Sequence, residues 1–414
     1  MIKTDYFTLE NGLKIVMCQD NDRKSACFEL ITNFGGDTEG FIIDGKEHHI
    51  TKGLAHLMEH ALIDKSPFGN ALEYFRSNYA SFNGYTSGIR TGFYVNDILN
   101  IEDSMVKLMH VVNNLSFTSE DLKNIKKPVI EEIRKALDNR FRNVRKANNE
   151  CFYHYHKPID NLGTVEEVES ITFEEIKLCH DIFYQPNNQI ICISGNFDIE
   201  KVKDIILNTY KELNIKPIKY TLITHDEPRS VAKKKEVIID PENEEYCNIR
   251  YKIKDAPFTP YELVKLSFYL EFFINHNFKD GTEIYNFLVD NKYTVYSIDC
   301  SCSFNDGLAS ISIGAFTSHV DEFITRVQDI INNKPINEEE FKIWKNNVII
   351  SIILREEHPG KMIAPFLDNI LTFHYEKPDT VEDINSLNVE ELKDYLNRID
   401  FSEYCIISRI KEEI

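Results

Sequence analysis

Thirteen residues opening at Val165, VEEVESITFEEIK, return at Val381 as VEDINSLNVEELK, 216 residues further on, with six positions identical and most others conservative. A repeat at that separation constrains the fold more firmly than any local propensity, because it means one structural unit used twice. The segments that follow each copy also correspond: Gln189-Ile-Ile-Cys-Ile-Ser194 matches Glu403-Tyr-Cys-Ile-Ile-Ser408. Upstream, the helical pattern of 119–137 has its counterpart in 337–355, each with a polar cap and acidic first turn. At 414 residues the chain also exceeds what one hydrophobic core ordinarily organises.

The expected class is α+β: two homologous domains, each a mostly antiparallel sheet packed with helices, related by internal duplication. Strand patterns at Lys14–Cys18, Cys27–Thr32 and Thr91–Val95, interrupted by helical runs without βαβ alternation, fit that class. The expected boundaries are an N-terminal domain at 1–213, a linker at 214–236 and a C-terminal degenerate repeat at 237–414. The linker contains Pro217, Pro228 and the run Lys233-Lys234-Lys235.

Composition narrows the partners. Lys and Arg number 47 against 67 Asp and Glu, and the net charge of −20 repels phosphate backbones, so no nucleic acid is expected. No apolar run reaches the ~20 residues of a membrane span, and the first residues lack a basic segment leading into an apolar core. The nine cysteines are an odd number and sit in apolar, strand-like surroundings, which suits small buried thiols in a reducing compartment. Cys300 and Cys302 fall on one side of a strand without a second pair at ligand spacing. A cytoplasmic protein is expected.

The chemistry concentrates in Gly53-Leu-Ala-His-Leu-Met-Glu-His-Ala-Leu-Ile63. Residues four apart stand above one another on a helix, so His56 and His60 present two imidazoles to one ion. Glu59 lies about 100° around from His60, off the ligand position but near a water, where a general base belongs. Two histidines and a carboxylate in an apolar helix are costly without a partner, and a metal removes that cost. The order His-x-x-Glu-His is one of the catalytic zinc motifs.

A hydrolytic zinc site needs a third protein ligand and an open position, and Pro128-Val-Ile-Glu-Glu-Ile-Arg134 offers two glutamates. The apolar stripe of that helix is Leu122, Ile125, Val129, Ile133, Ala136 and Leu137. Glu131 falls opposite the stripe, toward solvent, and Glu132 on its flank, within reach of an interior site. Pro128 removes one backbone donor and is expected to kink the helix ahead of Glu132.

The chain at this point resembles the pitrilysin/insulinase family of zinc metallopeptidases, the inverzincins. The resemblance runs through Asn11-Gly-Leu-Lys-Ile, Phe34-Gly-Gly-Asp-Thr-Glu-Gly, the His56–His60 motif, Ser81-Phe-Asn-Gly-Tyr-Thr-Ser, the Glu132 helix and Phe183-Tyr-Gln-Pro-Asn-Asn to Gly195-Asn196, and so covers essentially the whole chain. It implies zinc held by His56, His60 and Glu132, with Glu59 activating water. It also implies a zinc-dependent endopeptidase acting on short or unfolded peptides in an enclosed cavity. The segment that contacts the substrate backbone in relatives reads Asn83-Gly84-Tyr85-Thr86 here, which makes Asn83 a candidate substrate contact and Gly84 a departure from the usual Ala.

Two other departures stand out. The carboxylate that relatives often place seven residues before the third ligand falls on Ile125. The family's substrate-binding pair, an Arg and a Tyr at the start of a strand, aligns Tyr296 with the Tyr but puts Val289 where the Arg belongs. An intact metal half with an incomplete substrate half implies a homodimer, or a heterodimer whose same-fold partner supplies the Arg and Tyr, as in bacterial relatives that process ribosomally made peptides. A non-catalytic scaffold or presenting subunit of the same fold is the alternative. His48, His49, His154 and His156 are expected to be surface or packing residues.

Overall fold

The structure, a computed structural model, describes residues 3–155, 161–254, 258–294, 296–305 and 307–411; His156 lies outside them. It resolves into two compact units. The first comprises residues 1–139, 158–224 and 355–364, the second 140–157, 225–354 and 365–414.

The first unit is built on a six-stranded sheet in the order Lys3–Thr8, Lys14–Gln19, Gln189–Gly195, Ala26–Thr32, Thr91–Asp97, Ser81–Thr86. Every neighbouring pair is antiparallel except Lys14–Gln19 with Gln189–Gly195, which run parallel. The second unit has five strands in the order Lys235–Ile239, Tyr404–Ile410, Tyr246–Lys254, Leu308–Ala315, Asp299–Asn305. Here the first pair is parallel and the others antiparallel. Leaving out Lys3–Thr8, the two orders superpose strand for strand, with the parallel pair in the same place. The duplication read from the sequence is therefore one of topology as well as of residues.

The repeated segments fold alike for a local reason. Thr164 caps the helix Val165–Ser170 in a reciprocal capping box with Glu167, and Thr380 does the same for Val381–Ser386 with Asp383. The helices that follow, Phe173–Phe183 and Val389–Arg398, start at Thr172 and Asn388, whose side chains accept from the N–H groups of Glu175 and Glu391.

In the first unit the core lies between one sheet face and the helices. Ile15, Phe28, Leu30, Phe93, Val95, Ile191 and Ile193 meet Leu57 and Met58 of Leu54–Asp64, Met105 and Leu108 of Ile101–Asn113, and Ile176 of Phe173–Phe183. The second unit repeats this with Ile249, Ile311 and Ile313 against Leu266, Phe273, Phe323 and Val327.

The first-unit division departs from the expected 1–213 span at residues 140–157, which pack within the second unit. There the helix Arg142–Phe152 sets Val144, Ala147 and Cys151 against Cys405 and Ile407. Lys252, whose side chain is wholly buried, ties that helix down: its ammonium donates to the carbonyls of Phe152 and Ser230 and to Glu227 Oε2 at 3.1–3.2 Å. A buried charge persists only with such complete compensation. The expected linker is likewise more ordered than its composition suggests, since Thr221–Leu222 pairs with Phe41–Ile42 and Lys235 already begins a strand. All nine cysteines are free, and Cys300 and Cys302 share the half-buried face of Asp299–Asn305. Among the described residues no helix is long and apolar enough to cross a membrane.

Candidate metal centre

Two helices and one edge strand of the first unit build the site. The helix Leu54–Asp64 starts at Gly53, whose φ of 85° is left-handed. A Cβ there would sit 2.3 Å from the Leu162 carbonyl oxygen, so glycine is required where the 161–163 loop crosses the helix start. Nearly all of the helix is buried, and only His56, His60 and Asp64 are partly accessible. The apolar faces thus fix the helix so firmly that the polar i, i+4 pair has one orientation.

The second helix, Leu122–Leu137, buries Leu122, Ile125, Val129 and Ile133. The stripe ends there: Leu137 is exposed and Ala136 only half-buried, in contrast to the longer stripe expected. The helix runs on through Pro128 without a break. Glu131 lies in solvent, paired with Arg134 one turn on. Glu132 turns to the histidines.

Three donor atoms converge: ligand atoms of His56, His60 and Glu132 all lie within 4.8 Å of one another, the one such cluster among the described residues. His56 Nε2 is 3.0 Å from Glu132 Oε2, and His60 Nε2 is 3.7 Å from Glu132 Oε1. Two imidazoles and one carboxylate are the protein donor set and count of a catalytic zinc site, so the residues fit that ion. Ile125 is in the core, so the helix offers no acid there to support a ligand.

Glu59 stands beside the cluster and is buried. Its Oε2 is 3.6 Å from His56 Nδ1 and accepts a 2.6 Å hydrogen bond from the Thr86 hydroxyl. Burial pushes the Glu59 carboxyl up, but the bonds from His56 and Thr86 outweigh it and hold the group below its ordinary value. Burial lowers His56 too, yet its contacts with Glu59 and Glu132 carry it above the ordinary range, while burial and the charge of His56 depress His60.

Thr86 closes the Asn83–Thr86 motif, where the sequence alone does not mark it for a role. The signal was period-2 alternation along a strand: Thr86 and Gly84 share a face, and Asn83 and Tyr85 take the other. Asn83 is exposed on the edge strand Ser81–Thr86, whereas Tyr85 donates to Glu29 Oε1 at 2.8 Å. Gly84 in place of Ala has a packing cause. An added Cβ would lie 3.0 Å from Phe93 Cδ1 and 3.1 Å from Ile63 Cδ1, so those side chains would have to give by a few tenths of an ångström.

Tyr296 lies in the second unit, in a bend ahead of the strand Asp299–Asn305 rather than at its start. Its hydroxyl donates to Glu244 Oε1 and its ring packs on Phe316 at 4.8 Å. Val289 is an exposed aliphatic near the end of the helix Glu283–Asp290. An arginine is nevertheless present beside Tyr296: Arg140, far away in sequence, binds Glu244 Oε2 at 3.1 Å and covers the Phe316 ring.

Duplicated α+β units, one carrying an inverted His-x-x-Glu-His helix that faces a glutamate from a second helix, define a class of metallopeptidase fold. The family described as Peptidase M16 inactive domain matches residues 170–348. The zinc protease YmfH of Bacillus subtilis, itself uncharacterized, is 26% identical over 338 residues, which are 78% of this chain and 76% of that one. The crystal structure of an M16-like peptidase from Alicyclobacillus acidocaldarius aligns with TM-score 0.85 at 19% identity, covering 99% of this chain and 98% of that one. The periplasmic protease PqqL of Escherichia coli aligns at TM-score 0.73 and 14% identity over 99% of this chain but only 48% of its own. The chain thus resembles zinc proteases of the pitrilysin/insulinase type, M16, over most of its length and shares their fold.

Proposed function

We propose that this protein is a zinc-dependent endopeptidase that cleaves short or unfolded peptides. The observation that carries the reading is the convergence of His56, His60 and Glu132 from two helices, with the buried Glu59 carboxylate beside them and not in the ligand set. Zinc, when bound by those three side chains, polarises a carbonyl oxygen and makes a water molecule more acidic. Glu59 receives the proton from the attacking water as the C–O bond forms, and returns it to the amide nitrogen as the C–N bond breaks. Asn83, on an edge strand, is the proposed contact to the substrate backbone, where an extended peptide adds main-chain hydrogen bonds. The exposed hydroxyl of Tyr296, beside Arg140, is the proposed second contact.

A same-fold partner, a second copy or a related chain, belongs to this proposal. It is supported by the length of PqqL, of whose chain this one covers 48%. Maturation of a ribosomally made peptide is the substrate reading that goes with such a pair.

A scaffold or presenting role has one observation in its favour, the description of the matched family segment as inactive. That segment begins at residue 170, beyond all four of His56, Glu59, His60 and Glu132. The peptidase reading is preferred for that reason. The deciding experiment measures zinc content and peptide cleavage in the wild type and in Glu59→Gln. Retained zinc with cleavage lowered about 10²- to 10⁴-fold supports the reading. Wild-type protein without stoichiometric zinc, or unimpaired cleavage by Glu59→Gln, overturns it.

A further inference from the structure

We infer that Thr86 is the positioning residue for the base: its hydroxyl commits one oxygen of Glu59, Oε2, and leaves the other, Oε1, as the atom that exchanges the proton. This rests on the peptidase reading given above and adds to it which oxygen acts and what holds it there.

Thr86 Oγ1 donates to Glu59 Oε2 at 2.6 Å, the short length of a hydroxyl bound to a carboxylate. The same oxygen is the one near His56 Nδ1, at 3.6 Å. Oε1 carries no hydrogen bond among the described residues. The two oxygens of one carboxylate are thereby made inequivalent. A carboxylate torsion is otherwise broad, so an unanchored Glu59 would sample many orientations of its two oxygens.

The donor is itself held by two neighbours, Thr91 and Asn161. Thr86 pairs with Thr91 at the closed end of the hairpin, and its carbonyl accepts from Asn161 Nδ2 at 2.8 Å. Thr91 Oγ1 lies 3.5 Å from Thr86 Oγ1 and donates to the Phe34 carbonyl at 2.8 Å, so Thr91's own proton is engaged elsewhere. Thr91 is fully buried. Threonine is stiff about χ1, which fixes the hydroxyl once the strand is fixed. A serine would keep the donor with less constraint, and a valine would keep the shape without the donor.

In the proposed step the water oxygen forms its bond to the carbonyl carbon while one water proton passes to Glu59 Oε1. As the C–N bond breaks, that proton passes from Oε1 to the departing nitrogen. Thr86 keeps its own proton throughout and acts only through Glu59.

The test compares Thr86→Val, Thr86→Ser and Glu59→Gln with the wild type in zinc-loaded full-length protein, using a fluorogenic peptide, metal analysis and thermal melting. Thr86→Val is expected to keep one zinc and its KM within about twofold while kcat falls about 10- to 100-fold, the scale of one charge-assisted hydrogen bond. Thr86→Ser is expected to recover kcat to within about fivefold of the wild type. Unimpaired kcat in Thr86→Val, with Glu59→Gln inactive, overturns this inference and leaves the peptidase reading standing. Glu59→Gln turning over like the wild type overturns both. Should Thr86→Val misfold or lose zinc, Thr86→Ser decides: a folded, zinc-loaded serine variant within about fivefold of the wild-type kcat supports the inference, and one slowed more than about 10-fold overturns it.

Discussion

Glu132 Oε2 lies 3.0 Å from His56 Nε2, while its neighbour Glu131 faces solvent and pairs with Arg134. One step along a helix turns a side chain by about 100°, so adjacent and chemically identical residues have entirely different surroundings. The buried stripe from Leu122 to Ile133 sets that rotation, and through it decides which glutamate meets the histidines.

The first prediction is a contrast between those glutamates. Glu132→Ala removes one of three protein ligands and should lower zinc affinity by more than the ~10- to 100-fold that loss of a mere supporting partner costs. Glu131→Ala should bind zinc like the wild type and change stability by less than ~0.5 kcal/mol, because its ion pair is exposed. Competitive titration against a zinc chelator checks both.

Gly53→Ala should destabilise the first unit by more than about 2 kcal/mol. The left-handed backbone alone disfavours alanine, and the Leu162 carbonyl oxygen at 2.3 Å leaves no room for the new methyl group. A lowered melting temperature together with weakened zinc binding is the expected outcome, since this residue begins the helix that carries both histidines.

Gly84→Ala should cost about 1–3 kcal/mol as overpacking against Phe93 and Ile63. Ile63→Val removes the methyl group at 3.1 Å, so the double substitution should be more stable than the sum of the singles implies. Melting of the four proteins in a double-mutant cycle measures the coupling.

His180 should make the protein acid-sensitive. It is buried, its Nε2–H donates to the Val112 carbonyl at 3.0 Å, and its ring stacks on Tyr184. Burial lowers its pKa to about 4 from the ordinary 6.5. Above pH 6.5 the ring is neutral folded or unfolded. As pH falls from 6.5 toward 4, the unfolded chain takes up a proton that the native state refuses, so stability declines, and below 4 the decline from this group levels off. The gap corresponds to a loss on the order of 3 kcal/mol at 1.36 kcal/mol per pH unit. His180→Phe should lose about 1 kcal/mol at pH 7, with the Val112 carbonyl unpaired, yet show a shallower decline between pH 6.5 and 4.5 in urea titrations.

Features of the chain that depend on spacing were legible in the sequence by itself. The i, i+4 histidines, the flank position of Glu132 and the repeat itself are all carried by short-range geometry, which neighbouring residues dictate. What only the tertiary structure decided are contacts between segments far apart in the chain: the Thr86 hydroxyl on Glu59, the helix Arg142–Phe152 packing within the second unit, and Arg140 beside Tyr296 where the aligned position holds Val289. Such pairs follow from how sheets and helices stack, and many residues of similar size and polarity would satisfy the same local pattern. Alternation marks which strand residues share a face with Thr86, but only packing selects the carboxylate that face meets.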